Sequence, residues 1–346
     1  MSLTRLRDLL GRMTRTDPHL VRQMLKLELM VTLWPSFPHF ERFACDTRLH
    51  GIRLNSAMIT APMLETELAT LGERVRTNAV PLYFDVKGRQ LRIEEVHRMD
   101  DHYELVLNHP IKVVTPTPVL FKAGADHALL ERIEDGGKRL VLMPREPHYN
   151  LVAGESLHIR HPSLEVFGSQ FTDRELEKIA RVKAAGFTKY FLSYVQSARD
   201  VDEFRELVGR DAQVYLKIED KKGLAYVERD FRKCDALSLV AARGDMYVEL
   251  DRPHDILKAV RLIAERDPEA CVGSRILLSV IHDSVPSNAD LSELAWLYDI
   301  GYRRMMLCDE LCLKEELLGR AVNVFEGFRG AYERAPTYPD STAFGC

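Results

Sequence analysis

The sequence predicts a (β/α)8 TIM barrel with an inserted all-β domain after the third strand, on three observations. Eight short apolar, β-branched runs recur along the chain, helix-period segments with start and stop signals separate them, and one long stretch breaks that rhythm. The 346 residues suit a barrel of ~250 residues carrying an insertion.

The strand candidates, in order, are LELMVTL (27–33), GIRLN (51–55), PLYFDV (81–86), KYFLSYV (189–195), VYLKIE (214–219), ALSLVA (236–241), RILLSVI (275–281) and RRMMLC (303–308). Between them, Thr172-Asp-Arg-Glu opens a helix in the manner of a capping box and Gly186 closes it. Ser197 opens the next helix and Gly209 closes it; Ser287 or Asn288 opens another, closed by Gly301. Strands alternating with helices of this length make parallel βαβ units, and eight of them suggest a closed barrel. From Arg89 to about Val166 there are only strand-like pieces (LRIEEV, HYELVL, KVVTPT, KRLVLM) with turns at Asn108-His-Pro, Asp135-Gly-Gly and Pro144. The expected organisation is an N-terminal helical segment (1–24), the barrel (25–88 and 167–328), the inserted β domain or lid (89–166) and a tail (329–346).

Composition narrows the function classes. A net charge of -4 and a pI near 6.3 give no general attraction to nucleic-acid backbones or anionic membranes. No apolar run reaches ~18 residues, and the N-terminus alternates apolar and basic residues rather than forming a signal peptide. A cytoplasmic protein without nucleic-acid or membrane partners is the expectation. The six cysteines form no disulfide-like framework, and the spacing of Cys308 and Cys312 is not that of a zinc knuckle, so reduced thiols are expected.

Barrel active sites lie at the C-terminal ends of the strands. Lys217 and Glu219 end the fifth strand two residues apart and therefore share a face, with Leu216 and Ile218 on the other. An inward lysine and carboxylate can hold a divalent metal and stabilise an anion, or form an internal salt bridge. The sixth strand ends in Ala-Ala-Arg243-Gly244-Asp245, where glycine allows close backbone approach and Asp245 supplies a second hard oxygen ligand suited to Mg2+ or Mn2+. Arg53, Asn55 and Asp85 end the second and third strands at the same rim.

These residues resemble a known family. FTDRELEKIARVKAAGFTKYFLSYVQSARDVDEFRELVG, then VYLKIEDKKGL, then CDALSLVAARGDMYVEL are similar to the central barrel of pyruvate kinase. VTLWPS, GIRLN and FDVKGRQLR match the first three strands in order, the last where the family has Asp-Thr-Lys-Gly-Pro-Glu-Ile-Arg; MMLCDE stands at Met-Leu-Ser-Gly-Glu. The resemblance implies that Glu219 and Asp245 hold Mg2+ or Mn2+ and that Lys217 stabilises the transferring phosphoryl group and the enolate. It implies that the amides of Gly244 and Asp245 take the substrate carboxylate. Arg53 and Arg92 would contact phosphate, Ser274 would stand near the enolate carbon in place of a threonine, and Asn55 and Asp85 would belong to a K+ site.

The departures are as specific. Val86 replaces a threonine of the K+ site, Gln90 a glutamate, Leu157 the lysine of a hinge motif, and Trp34 a glycine near where nucleotide would lie. The resemblance implies a C-terminal domain after Phe328 that is not found here, and with that assembly surface gone a monomer or homodimer acting on a small-molecule substrate is expected. The metal and oxyacid half of the site is kept; the nucleotide and K+ half is altered.

P-loop and Rossmann motifs are absent. His158 and His161 point to opposite faces of an expected strand, His97 and His102 flank a hairpin tip, and Met305-Met306 read as barrel packing. His282, expected after the seventh strand, could reach the site. Three readings follow: Mg2+-dependent phosphoryl transfer between phosphoenolpyruvate and ADP or ATP, giving pyruvate; a metal-dependent lyase, aldolase or enolising enzyme acting on a 2-oxo acid; or a non-catalytic phosphoenolpyruvate-binding or scaffold protein.

Overall fold

The computed structural model of the protein describes residues 26–56, 61–143 and 150–333. The helices expected over 1–23 and the segment 335–346 lie outside the described residues. The chain opens with three parallel strands, β1 (Glu28–Thr32), β2 (Leu49–Asn55) and β3 (Leu82–Val86), with a helix over Ala61–Thr77 between the second and third. Eight short strands follow: β4 (Ile93–Arg98), β5 (Tyr103–Leu107), β6 (Ile111–Lys112), β7 (Thr117–Phe121), β8 (Asp126–Glu134), β9 (Arg139–Leu142), β10 (Leu157–His158) and β11 (Glu165–Val166). They form a six-stranded antiparallel sheet in the order β10-β7-β8-β9-β5-β4 and a separate β11-β6 pair. Their core, with Leu105, Leu107, Phe121 and Leu130, is separate from that of the barrel.

The chain then returns to parallel strands β12 (Lys189–Leu192), β13 (Gln213–Ile218), β14 (Leu237–Ala242), β15 (Cys271–Gly273) and β16 (Arg304–Met306). With β1, β2 and β3 they close an eight-stranded barrel, and β1 pairs with β16 through Glu28 opposite Arg304. The barrel with its inserted β sheet therefore stands as expected.

Caps set the helix starts. Thr172 accepts from the Glu175 N–H, Ser197 from the Asp200 N–H, and Ser287 with Asp290 completes a reciprocal capping box. The expected box at Thr172 is half made: the Glu175 carboxylate turns instead to Lys178 Nζ (2.7 Å) and to the Lys87 N–H (3.3 Å).

The seventh strand is a correction. It lies at Cys271–Gly273, not at 275–281. The apolar run RILLSVI instead makes a turn with left-handed backbone at Ser274, Arg275 and Leu277, then a 3-10 helix over Leu278–Ile281. Its hydrophobicity is that of burial: Ile276, Leu277 and Val280 are buried in the outer core between barrel and helices. A short apolar run carries no periodicity that tells a strand from a buried turn. His282 accordingly ends this 3-10 turn, exposed.

Strand alternation divides the barrel cleanly. Met30, Tyr83, Phe191, Tyr215, Val240, Cys271 and Met306 point inward and form a small cluster of their own. Tyr83 and Phe191 both pack on Tyr215, with ring centroids 5.3 and 5.0 Å away. Gly51 makes room for this layer: a Cβ there would stand 2.6 Å from the Tyr83 ring and 2.7 Å from Met30 Cε. Two residues beyond Gly51, Tyr83, Phe191 and Tyr215, toward the C-terminal mouth, the inward positions turn polar: Arg53, Asp85, Ser193 and Lys217.

The inserted sheet is seated on the barrel partly through His109, which is buried against Gly168 with its Nε2 unpartnered. Burial, with Arg89 and Lys138 nearby, pulls its pKa down from 6.5 to about 4. The native state thus binds fewer protons than the unfolded one, so stability is lost as pH falls from 6.5 toward 4, by up to about 3 kcal/mol. Thermal melts at pH 8 and pH 5 are expected to diverge more for the parent than for His109→Gln. Equal divergence would remove His109 from the account.

Candidate active site

The polar layer at the C-terminal mouth is organised around one carboxylate. Asp85, wholly buried on β3, accepts from Arg53 Nε and NH2 on β2 (both 2.8 Å), from Lys87 Nζ (2.8 Å) and from the Ser193 hydroxyl (3.1 Å). Lys217 Nζ on β13 lies 3.6 Å away. Burial alone would raise the Asp85 pKa, but Lys217, Lys87 and Arg53 hold it far below the usual carboxylate range. The same burial pulls Lys87 down to about 7, against the pull of Asp85. Arg53 carries a second carboxylate: its NH1 donates to Asp309 Oδ1 (2.9 Å) and to the Thr32 hydroxyl (3.0 Å), while the Asn55 amide donates to the other Asp309 oxygen (2.9 Å).

Lys217 and Glu219 do share the inward face. Lys217 Nζ donates to Ser193 Oγ (2.9 Å) and stands 2.8 Å from Glu219 Oε1. Burial opposes its charge, yet Asp85 and Glu219 keep it above the ordinary lysine value. Glu219 Oε2 accepts from the Tyr194 N–H (2.7 Å), at a residue held in left-handed backbone. Glu219 Oε1 is buried with no aligned hydrogen-bond donor, the ion-pair contact to Lys217 being out of line. Burial raises Glu219 to about 7, with Lys217 opposing and Asp245 adding repulsion.

Asp245 follows β14 in the first turn of a short helix over Arg243–Glu249. Its Oδ1 has an amide contact from Gln90 and lies opposite His158 Nε2, each at 3.5 Å. Gly244 lies under Ser274, whose Oγ would be 3.3 Å from a Cβ at that position, so the expected Gly244, Asp245 and Ser274 are brought together. Arg243 is not a ligand group: it clamps the strained turn, donating twice to the Ser274 carbonyl (3.1 and 2.6 Å) and to Glu293 (2.5 Å). Arg92 is held by Gln90 and by the Gly154 carbonyl (2.5 Å) at the root of the inserted sheet.

These residues fit a divalent cation. Two carboxylates repel each other at the mouth, and one of them has a buried oxygen met by an ion pair but by no aligned hydrogen bond, a position a hard dication could also occupy. Among the described residues there is no group of three or more His, Cys, Asp or Glu arranged for a metal, so Glu219 and Asp245 would hold it as a pair, with substrate or water oxygens completing the shell. A monovalent cation fits less well. Asp85 is already surrounded by three cationic side chains, the Asn55 amide is turned to Asp309, and Val86 offers no hydroxyl.

Sequence reading missed Lys87, Ser193, Asp309 and a second group behind Asp245: His158 Nδ1 bonds Glu249 (2.6 Å), and the Tyr194 hydroxyl reaches both (3.3 and 3.4 Å). Lys87 and Ser193 were recoverable, because each lies two residues beyond an inward position on its strand. Nothing local in the sequence joins His158 to Glu249.

No family model matches the chain. It is 25% identical to a pyruvate kinase of Thermoplasma acidophilum over 287 residues, 78% of this chain and 52% of that protein. It is 21% identical to a pyruvate kinase of Agaricus bisporus over 313 residues (78% and 56%), and 32% identical to one of Agrobacterium vitis over 148 residues (41% and 30%). The crystal structure of pyruvate kinase from Pyrobaculum aerophilum superposes with a TM-score of 0.67 over 88% of this chain and 73% of that one, at 16% identity, a likeness of fold alone. The chain spans about half the length of the Thermoplasma and Agaricus relatives. It is thus pyruvate-kinase-like in sequence and fold, a closed barrel with an inserted antiparallel sheet akin to those enzymes over most of its own length.

Proposed function

We propose that the chain is a Mg2+-dependent phosphotransferase of the pyruvate kinase type, moving a phosphoryl group between phosphoenolpyruvate and a nucleotide and giving pyruvate. The observation that carries this is the convergence of Lys217, Glu219 and Asp245 at the barrel mouth, with Glu219 Oε1 buried and met only by its ion pair with Lys217. A bound divalent ion would supply charge neutralisation at the phosphoryl and carbonyl oxygens. The chain's own residues do the rest. Glu219 and Asp245 would hold the ion, Lys217 Nζ would offset charge on the phosphoryl group in flight, and the first-turn amides at Gly244 and Asp245 would orient the substrate carboxylate. The Ser274 hydroxyl, which lies over Gly244, would manage the proton at the enolate carbon. Purified protein with Mg2+, ADP and phosphoenolpyruvate is expected to form ATP; a folded sample that forms none with any common nucleotide or metal would end this reading.

A specific observation favours a second one. Arg53, which the resemblance assigns to phosphate, is already neutralised by Asp85 and Asp309, and Asp309 stands where the family has glycine. A mouth so balanced suits a monoanion such as a 2-oxo acid, whose enolisation begins a lyase or aldolase reaction. Exchange of pyruvate methyl protons in deuterated water without nucleotide separates the two. Asp309→Gly releases Arg53 NH1 and should tighten phosphoenolpyruvate binding about tenfold, the worth of one charge-assisted hydrogen bond. An unchanged dissociation constant would show that Asp309 does not compete with phosphate.

A further inference from the structure

The inserted sheet reaches the barrel mouth through one buried side chain. His158 lies on β10, held in register by its pairing with Leu120 of β7, and contacts the short helix over Arg243–Glu249 that carries Asp245. The 3-10 turn over Lys122–Gly124 seats the sheet on the same helix: a Cβ at Gly124 would stand 3.8 Å from both Val248 methyl groups.

The imidazole is fixed on one side and unbonded on the other. Its Nδ1 donates to Glu249 Oε1 (2.6 Å), since a carboxylate only accepts, and the Tyr194 hydroxyl closes on both at 3.3 and 3.4 Å. Its Nε2 is buried, makes no hydrogen bond and stands opposite Asp245 Oδ1 at 3.5 Å. A second group, from the root of the insert, meets the same oxygen. The Gln90 amide lies 3.5 Å from Oδ1, turned that way because Arg92 holds its carbonyl end. Both contacts therefore fall on Oδ1, and no hydrogen bond is made to Asp245 Oδ2 among the described residues.

We infer that His158 is a positioning residue for the proposed ion site: from the inserted sheet it braces Oδ1 of Asp245, with Glu249 setting the ring, so that Oδ2 is presented to the ion. The inference rests on the reading of Glu219 and Asp245 as the ion's ligands. The Asp245 side chain is 27% exposed and takes no hydrogen bond from its own helix among the described residues, so its supports come from the insert. A carboxylate already held in place loses less freedom when it takes an ion, and groups that orient a ligand in this way raise metal affinity without touching the metal. Tyr194 extends the same frame to the other carboxylate, because its amide holds Glu219 while its hydroxyl reaches the His158–Glu249 pair.

Mn2+ titration of the full chain, followed by electron paramagnetic resonance, tests this without turnover. His158→Asn places an amide N–H where Nδ1 stood and keeps the Glu249 bond, but does not reach Asp245. His158→Gln places one where Nε2 stood and keeps the reach to Asp245, but not the Glu249 bond. A brace on Asp245 predicts that His158→Asn weakens Mn2+ about tenfold or more, while His158→Gln stays within about threefold of the parent. A role limited to tying the sheet to the barrel predicts the opposite order. That order, equal losses in the two variants, or no loss in either would overturn the inference. So would a nitrogen coupling of directly bound imidazole in the pulsed spectrum of the parent, which would make His158 a ligand. Mn2+ binding that Asp245→Ala removes and His158→Asn leaves unmoved overturns this inference alone. A parent that binds no Mn2+, or Glu219→Ala and Asp245→Ala that bind it as the parent does, overturns the ion site itself and the brace with it.

Discussion

Asp85→Ala is expected to lower the melting temperature of the protein by on the order of 10 °C, or to prevent its folding. Asp85 is wholly buried and neutralises Arg53, Lys87 and Lys217 at 2.8, 2.8 and 3.6 Å. Removing it leaves three cations at the barrel mouth with Glu219, Asp309 and the more distant Asp245 to balance them. Breaking a buried ion pair from one side costs about 3–5 kcal/mol, because the other charge stays desolvated. For a chain of this size each kcal/mol moves the melting temperature by about 2–4 °C. Lys87 is the member easiest to neutralise, since burial already brings it down to about 7. Asp85→Ala with Lys87→Met should therefore recover part of the loss, a coupling that a double-mutant cycle reads directly. If Asp85→Ala melts within about 2 °C of the parent, the carboxylate is not the hub described here.

Lys217→Met should reduce turnover by about 10³-fold or more while leaving Mn2+ affinity intact or slightly improved. The lysine stands 2.8 Å from Glu219 Oε1, on the inner face beside the proposed metal pair, and is not the cation that Asp309 holds, which is Arg53. Loss of a fixed charge aimed at a transferring group has effects of this size. Removing a cation from beside a metal-binding carboxylate also removes a competitor for it. Turnover within tenfold of the parent would place the charge stabilisation elsewhere.

Much of this arrangement was legible because strand alternation is a rigid rule. Once β13 was placed, Lys217 and Glu219 had to share the inner face, and the same rule applied to β2 and β3 puts Arg53, Asn55 and Asp85 inside. Helix starts were legible because Thr172, Ser197 and Ser287 cap by local bonds that their own sequence supplies. The seventh strand was not legible. Cys271–Gly273 is three residues long, and the more apolar run after it is buried as a turn gripped by Arg243 from a neighbouring loop. The Asp85 hub and the His158–Glu249 pair depend on distances across the fold, 91 residues apart in the second case, and no local pattern encodes them. The resemblance placed Asp85 at a K+ site, whereas here three side-chain cations surround it.

Glu219 and Asp245 are proposed to hold one divalent ion between them. Titration of Mn2+ into the parent, Glu219→Ala and Asp245→Ala, followed by electron paramagnetic resonance, tests it most directly. Each carboxylate should supply one ligand oxygen, so either substitution should remove most of the Mn2+ affinity; Asp245→Ala should melt near the parent, whereas Glu219→Ala, which strips buried Lys217 and the Tyr194 N–H of a partner, should melt lower. Oxalate, a mimic of the enolate, should tighten Mn2+ on the parent and on neither variant. If both variants bind Mn2+ as the parent does, the ion lies elsewhere and the proposed site fails at its centre.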